Sequence, residues 1–158
     1  MKPITNLLFA LLLLCCGCHY DPYAIRMPSK QPLLKDVTGV YHFQTQTVND
    51  KLKRGVFKDA SITLNADSSF TAANIPDFAG NTDFKYNGVI SATGKWHMQI
   101  LSKLNNSIDN KPVWGITLTN LPANLQTMAF GMHKAPYQLL VVYGDQFKDK
   151  IMLFSSKK

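Results

Sequence analysis

YQLLVVYGDQFKDKIMLFSS, residues 137 to 156, decides the fold class. Two apolar runs, 137–144 and 150–156, flank a short polar stretch. Both runs are rich in aliphatic and aromatic residues and are short enough to be strands. The polar stretch 145–149 reads as a compact hairpin loop. The same grammar continues toward the N-terminus. WGITLTNL (114–121) alternates, with Ile116 and Leu118 facing inward and Thr117 and Thr119 outward. MAFGMHK (128–134) is a weaker strand. GVISATGKWHMQIL (88–101) reads as one long or kinked strand with Trp96, Met98 and Ile100 on one face. Gly94 within it is expected to mark a bulge or bend. Asn105, Asn106, Asp109 and Asn110 make the stretch after it turn-rich.

The first half of the domain follows suit. TGVYHFQTQ (38–46) places Tyr41 and Phe43 on one face and His42 and Gln44 on the other. ASITLNA (60–66) and SFTAANI (69–75) form a hairpin around Asp67 and Ser68. VNDKLKRGVFKDA (48–60) has room for a short helical turn. PDFAGNTDFKYNG (76–88) reads as a long irregular loop. The chain contains no Glu, and its acids are all Asp. Asp and Asn favour turns where Glu favours helices. The expectation is an all-β domain, a single antiparallel β-barrel or sandwich of about eight strands.

Ahead of the domain lies LLLLCCGCHYDP, residues 11 to 22, which holds all three cysteines, Cys15, Cys16 and Cys18. A zinc site needs about four ligands, and no later cysteine supplies them. A redox Cys-x-x-Cys belongs before a helix in a βαβ unit, which this segment is not. Lys2 followed by the apolar run 7–14 has the order of a signal peptide. The run falls short of the roughly 20 residues that span a bilayer. The region resembles a bacterial lipoprotein signal, in which a small residue precedes a cysteine that is acylated after cleavage. Gly17 before Cys18 supplies that pair. Leu is usual three residues before the modified cysteine; Cys15 stands there, and Cys16, with Leu13 before it, is the runner-up.

The resemblance implies residues 1–17 as a signal helix, removed on export, and Cys18 as a diacylglyceryl, N-acyl anchor. His19 rather than Asp follows Cys18, which in enteric-type bacteria favours the outer membrane, facing the periplasm. Residues 18–36, broken by Pro22, Pro28 and Pro32, read as an extended tether. Residues 37–158 read as the β domain. The mature chain would keep 141 residues (158 − 17), enough for one core of ordinary size.

The domain resembles a group of small exported bacterial lipoproteins of uncharacterised activity. Their outline runs from TGxY through LxLNxDGTF, a loop entered by PD, and GxW, to PYxLxxxxGDPD and a late Phe. This chain has Thr38 to Tyr41, ITLNADSSF (62–70), IPDF (75–78), GKW (94–96), PYQLLVVYGD (136–145) and Phe154. It departs at Ser68 and Ser69, where Gly-Thr is usual, and at Gln146, where Pro is usual. Both departures fall in turns and should touch stability only. GxY followed by GxW is also similar to small lipocalin-like barrels.

Chemistry is thinly represented. His42 and His97 lie between inward-facing neighbours and should point outward; His133 remains. No H-E-x-x-H, G-x-S-x-G or P-loop pattern occurs, and no cofactor motif. A hydrolase would draw on Asp77, Asp83 or Asp145, but turn capping is the plainer role for each. The net charge of +7 becomes +6 without Lys2, and its clusters are small. They read as a solvated face or a contact with anionic envelope surfaces, without a nucleic-acid motif. Trp96 and Trp114 are expected in the core. The 76–88 loop is the best functional candidate, through Phe78, Phe84 and Tyr86, which either meet a partner, close a barrel mouth, or fold back as a lid on the core. The expected function is a lipid-anchored envelope protein without catalysis or metal, binding either an envelope protein or a small apolar ligand. An envelope hydrolase ranks third.

Overall fold

The computed structural model describes residues 27–156, apart from 50, 53, 81–83, 107–108 and 145–149. Eight antiparallel strands close into a barrel in chain order. They are β1 (Gly39–Gln46), β2 (Ser61–Leu64), β3 (Ser69–Ala79) and β4 (Lys85–Asn106). β5 (Asp109–Leu118), β6 (Thr127–Gly131), β7 (Gln138–Tyr143) and β8 (Lys150–Ser156) complete it. Closure comes from β8 pairing with β1, Tyr41 opposite Ser156 and Phe43 opposite Phe154. Of the two expected architectures, the barrel is the one formed.

Alternation explains the interior. Tyr41 and Phe43 of β1, Ile62 and Leu64 of β2, and Ile116 and Leu118 of β5 are all buried. Phe130, Leu139, Val141, Met152, Phe154 and Trp96 join them in one continuous cluster. An eight-stranded barrel is just wide enough for such side chains to fill. Outward positions such as Thr71, Thr93, Lys95, His97 and Gln99 are exposed. His42 is partly exposed, in keeping with its outward position. Trp114 is half-buried against the core.

The run 138–143 is apolar on both faces for a reason. Leu139 and Val141 face the interior, while Leu140 belongs to a second cluster with Val113, Ala129 and Ile151. Leu101 and Met27 pack against that outer cluster. A Cβ at Gly115 would collide with the Leu101 side chain and the Met128 carbonyl, so only Gly lets Leu101 lie there. A strand buried on both faces reads as a continuous apolar run.

Connections alternate between the two ends of the barrel. One end carries the chain entry and the β2–β3, β4–β5 and β6–β7 turns; the other carries the remaining four connections. The entry end is plugged by a one-turn helix, α1 (Leu34–Val37), whose Val37 is fully buried. The Tyr41 hydroxyl donates to the Val37 carbonyl at 2.7 Å. Pro28 and Pro32 of the proline-broken segment are buried, and the His133 Nδ1–H donates to the Met27 carbonyl at 3.0 Å.

Two local expectations are corrected. Gly94 makes no bulge: it pairs regularly with Phe70, and a Cβ there would lie 2.9 Å from the Phe70 ring and strike Thr119. The shifts in β3–β4 pairing fall instead between Ala72 and Ile75 and between Asp77 and Phe78. Ile100 keeps the register of Trp96 and Met98, opposite Trp114, but is exposed; a further register shift lies beyond it, between Ile100 and Ser102. The second correction concerns residues 76–88, which are mostly strand rather than loop: β3 runs to Ala79 and β4 begins at Lys85.

Candidate functional site

That second correction builds the site. Asp77 pairs with Gly88, but the next residue, Phe78, pairs with Tyr86, leaving Asn87 as the extra residue of a bulge. Both Asp77 and Phe78 are therefore turned into the barrel, at 7% and 1% exposure. Pro76, Asn87 and Gly88, which suggest a loop, are absorbed by this irregular pairing. Gly88, at φ +108°, occupies a conformation that L side chains rarely adopt.

Around Phe78 the end of the barrel is closed by rings. Phe57 comes from a 3-10 turn (Arg54–Phe57) in the β1–β2 connection and is buried. Its ring meets Phe43 at 5.4 Å, Tyr86 at 5.5 Å and Phe78 at 6.4 Å between centroids. Phe78 meets Tyr86 at 5.9 Å and Tyr143, the last residue of β7, at 5.7 Å. Phe84 stacks edge-on against Tyr143 at 5.5 Å. Each such pair contributes about 0.5–1.5 kcal/mol beyond burial. Phe78 is wholly inside, while Phe84 and Tyr86 are half-buried and stand at the rim. All three rings pack on the core cluster at this end of the barrel.

The mouth is not purely apolar. Asn87 Nδ2 donates to Asp77 Oδ2 at 3.0 Å, and Asn124 Nδ2 donates to Asp77 Oδ1 at 3.2 Å. Asn124 also donates to the Phe78 carbonyl at 2.9 Å. It sits in the 3-10 turn Ala123–Leu125 between β5 and β6, which the buried Leu125 pins to the barrel. Asp77 thus ties the β3–β4 pair to the β5–β6 connection. Turn capping, its expected role, is not what it does. Burial, and then the nearby Asp77 carboxylate, push the Tyr143 phenol well above its ordinary range. The Tyr143 hydroxyl is sealed from solvent and makes no hydrogen bond among the described residues.

Asp83, Asp145, Cys15, Cys16 and Cys18 lie outside the described residues. Phe57, Asn87, Asn124 and Tyr143 were not singled out by the sequence. One signal was there for Asp77: it stands between Ile75-Pro76 and Phe78, a strange setting for a solvated turn acid. No protein-family model, curated protein or solved structure matches the chain.

Proposed function

We propose that this chain is a lipid-anchored protein of the bacterial cell envelope, acting as a binding module without catalysis. The observation that carries the reading is the order Lys2, apolar run, Gly17, Cys18 ahead of a compact barrel. Acylation of the Cys18 sulfur would hold the protein at a membrane, with the outer membrane as its address and the periplasm as its setting. The barrel's outward residues support a body that stands in water: its interior is apolar and positions such as Thr71, Lys95 and Gln99 are exposed. A lipid-embedded barrel has the opposite arrangement.

Barrels of this size also carry small apolar ligands. Here Phe43, Trp96, Phe130 and Phe154 occupy the inside, which favours the mouth as the working part. The mouth lies at the end opposite the chain entry, so an anchored barrel would present it away from its lipid.

The test is metabolic labelling. A Gram-negative host expressing the chain with a labelled fatty acid should yield a labelled protein, and Cys18→Ser should lose the label. Label retained in Cys18→Ser but lost in Cys16→Ser would move the anchor; label retained in both would sink the reading.

A further inference from the structure

We propose that the barrel mouth binds the ammonium group of a small organic amine between the Asp77 carboxylate and the Tyr143 hydroxyl. The proposal deepens the binding-module reading by naming its ligand class.

Three observations carry it. The first is a buried carboxylate with no cation beside it among the described residues. Asp77 is 7% exposed, and its oxygens accept only from two neutral amides, Asn87 and Asn124, among the described residues. A buried carboxylate is costly unless a positive charge compensates it. The second is the Tyr143 hydroxyl, in a residue 3% exposed and without a hydrogen-bond partner among the described residues. Buried polar groups are normally satisfied, and an exception calls for an explanation. The ring of Phe78, next to Asp77 in the chain, packs on Tyr143 at 5.7 Å between centroids, and the carboxylate raises the phenol, yet no hydrogen bond joins the two groups. A donor with several N–H groups placed between them would answer both.

The third observation is the wall. Phe78 and Tyr86 face one another, and Phe78 and Phe84 both pack on Tyr143. Aromatic faces attract cations, the more so out of water. A hard metal ion asks for six or so oxygen ligands, and rings supply none. An organic ammonium suits one carboxylate, one hydroxyl and several rings. Phe84 and Tyr86 at the rim are the half-buried members, and they would flank the hydrocarbon part of the amine. Gly144 (φ +79°) lets Phe84 lie close to the chain after Tyr143; a Cβ there would stand 3.3 Å from the ring.

Calorimetry on the full chain in a non-ionic detergent tests this, whether or not the chain is acylated. The probe is 2-phenylethylamine, with 2-phenylethanol as its neutral counterpart. The amine should bind at least about tenfold more tightly than the alcohol. Asp77→Asn should weaken amine binding by a further factor of about ten or more. Tyr143→Phe should weaken it several-fold while leaving the melting temperature unchanged or raised, which a purely structural tyrosine would not do. Equal binding of amine and alcohol overturns the proposal. So does amine binding that survives Tyr143→Phe, an outcome that decides the matter even if Asp77→Asn fails to fold. No binding at about 10 mM amine also overturns it, and then a bound water is the better partner for Tyr143. Because acylation of Cys18 is read by labelling alone, failure here leaves the anchor standing, and failure there leaves the amine site standing.

Discussion

The two ends of the barrel each bury a tyrosine, and the two are treated differently. At the entry end the Tyr41 hydroxyl donates to the Val37 carbonyl, locking helix α1 into the barrel. At the mouth the Tyr143 hydroxyl is equally enclosed but has no partner among the described residues. It lies near a carboxylate held by two asparagines. The entry end is finished as a piece of structure. At the mouth, among the described residues, the Tyr143 donor has no acceptor and the Asp77 carboxylate has only neutral amides, which protein interiors hold at some cost. The contrast teaches that burial alone does not decide how a hydroxyl is used: one end uses it to hold a helix, and the other leaves it unpaired among the described residues.

Alkaline pH should produce the largest effect. Burial, followed by Tyr137 for Tyr41 and by Asp77 for Tyr143, moves both phenols up. The native state then holds these protons more tightly than the unfolded chain, whose tyrosines titrate near pH 10. Their contribution is intact below about pH 10 and is lost as pH rises toward the folded values, by up to about 1.4 kcal/mol per pH unit for each phenol. Urea unfolding at pH 9 and about pH 11 should show the loss, and a Tyr41→Phe, Tyr143→Phe double variant should show a flatter pH profile. An unchanged slope in the double variant would mean that other groups carry it.

Single variants separate the two ends at neutral pH. Tyr41→Phe removes a made bond and strands the Val37 carbonyl, costing about 1–2 kcal/mol. Tyr143→Phe removes a hydroxyl that bonds to nothing described, so its effect on stability should be near zero or favourable. Equal losses for both in a denaturant titration would erase the contrast drawn between the ends.

The smallest change belongs to the β2–β3 turn. Ser68 has φ 63°, which Gly adopts without penalty. Ser68→Gly should add up to about 1 kcal/mol, read as a higher melting temperature. Asp67 keeps the turn's other half in order, its carboxyl held below the usual range by the Ser69 hydroxyl and N–H. Gly at position 68 is also what the small-lipoprotein outline has, so the departure noted in the sequence falls on the one residue of that turn with positive φ.

Legibility follows the range of the forces involved. β1, β2, β5, β7 and β8 are evident from local alternation, and the departure at Ser68 marks the turn it occupies. Residues 76–88 mislead because Pro76, Gly80, Asn87 and Gly88 are turn formers by local preference. Pairing between β3 and β4 absorbs three of the four into strands by means of a bulge. The aromatic trio Phe78, Phe84 and Tyr86 could be picked out, since large rings in a supposed loop need a reason. Their neighbours could not. Phe57, Asn124 and Tyr143 reach the mouth from three other stretches of chain, and only closure of the barrel brings them together.

That closure has a consequence in time. β1 pairs with β2 at once, but its other edge waits for β8, with Tyr41 meeting Ser156 across nearly the whole domain. Contacts of such separation form slowly. While the chain is being made, the second edge of β1 has no strand to meet until the last residues emerge. An open edge is a template for unwanted pairing. A nascent chain of this topology therefore needs its final seven-residue strand before its first one is safe.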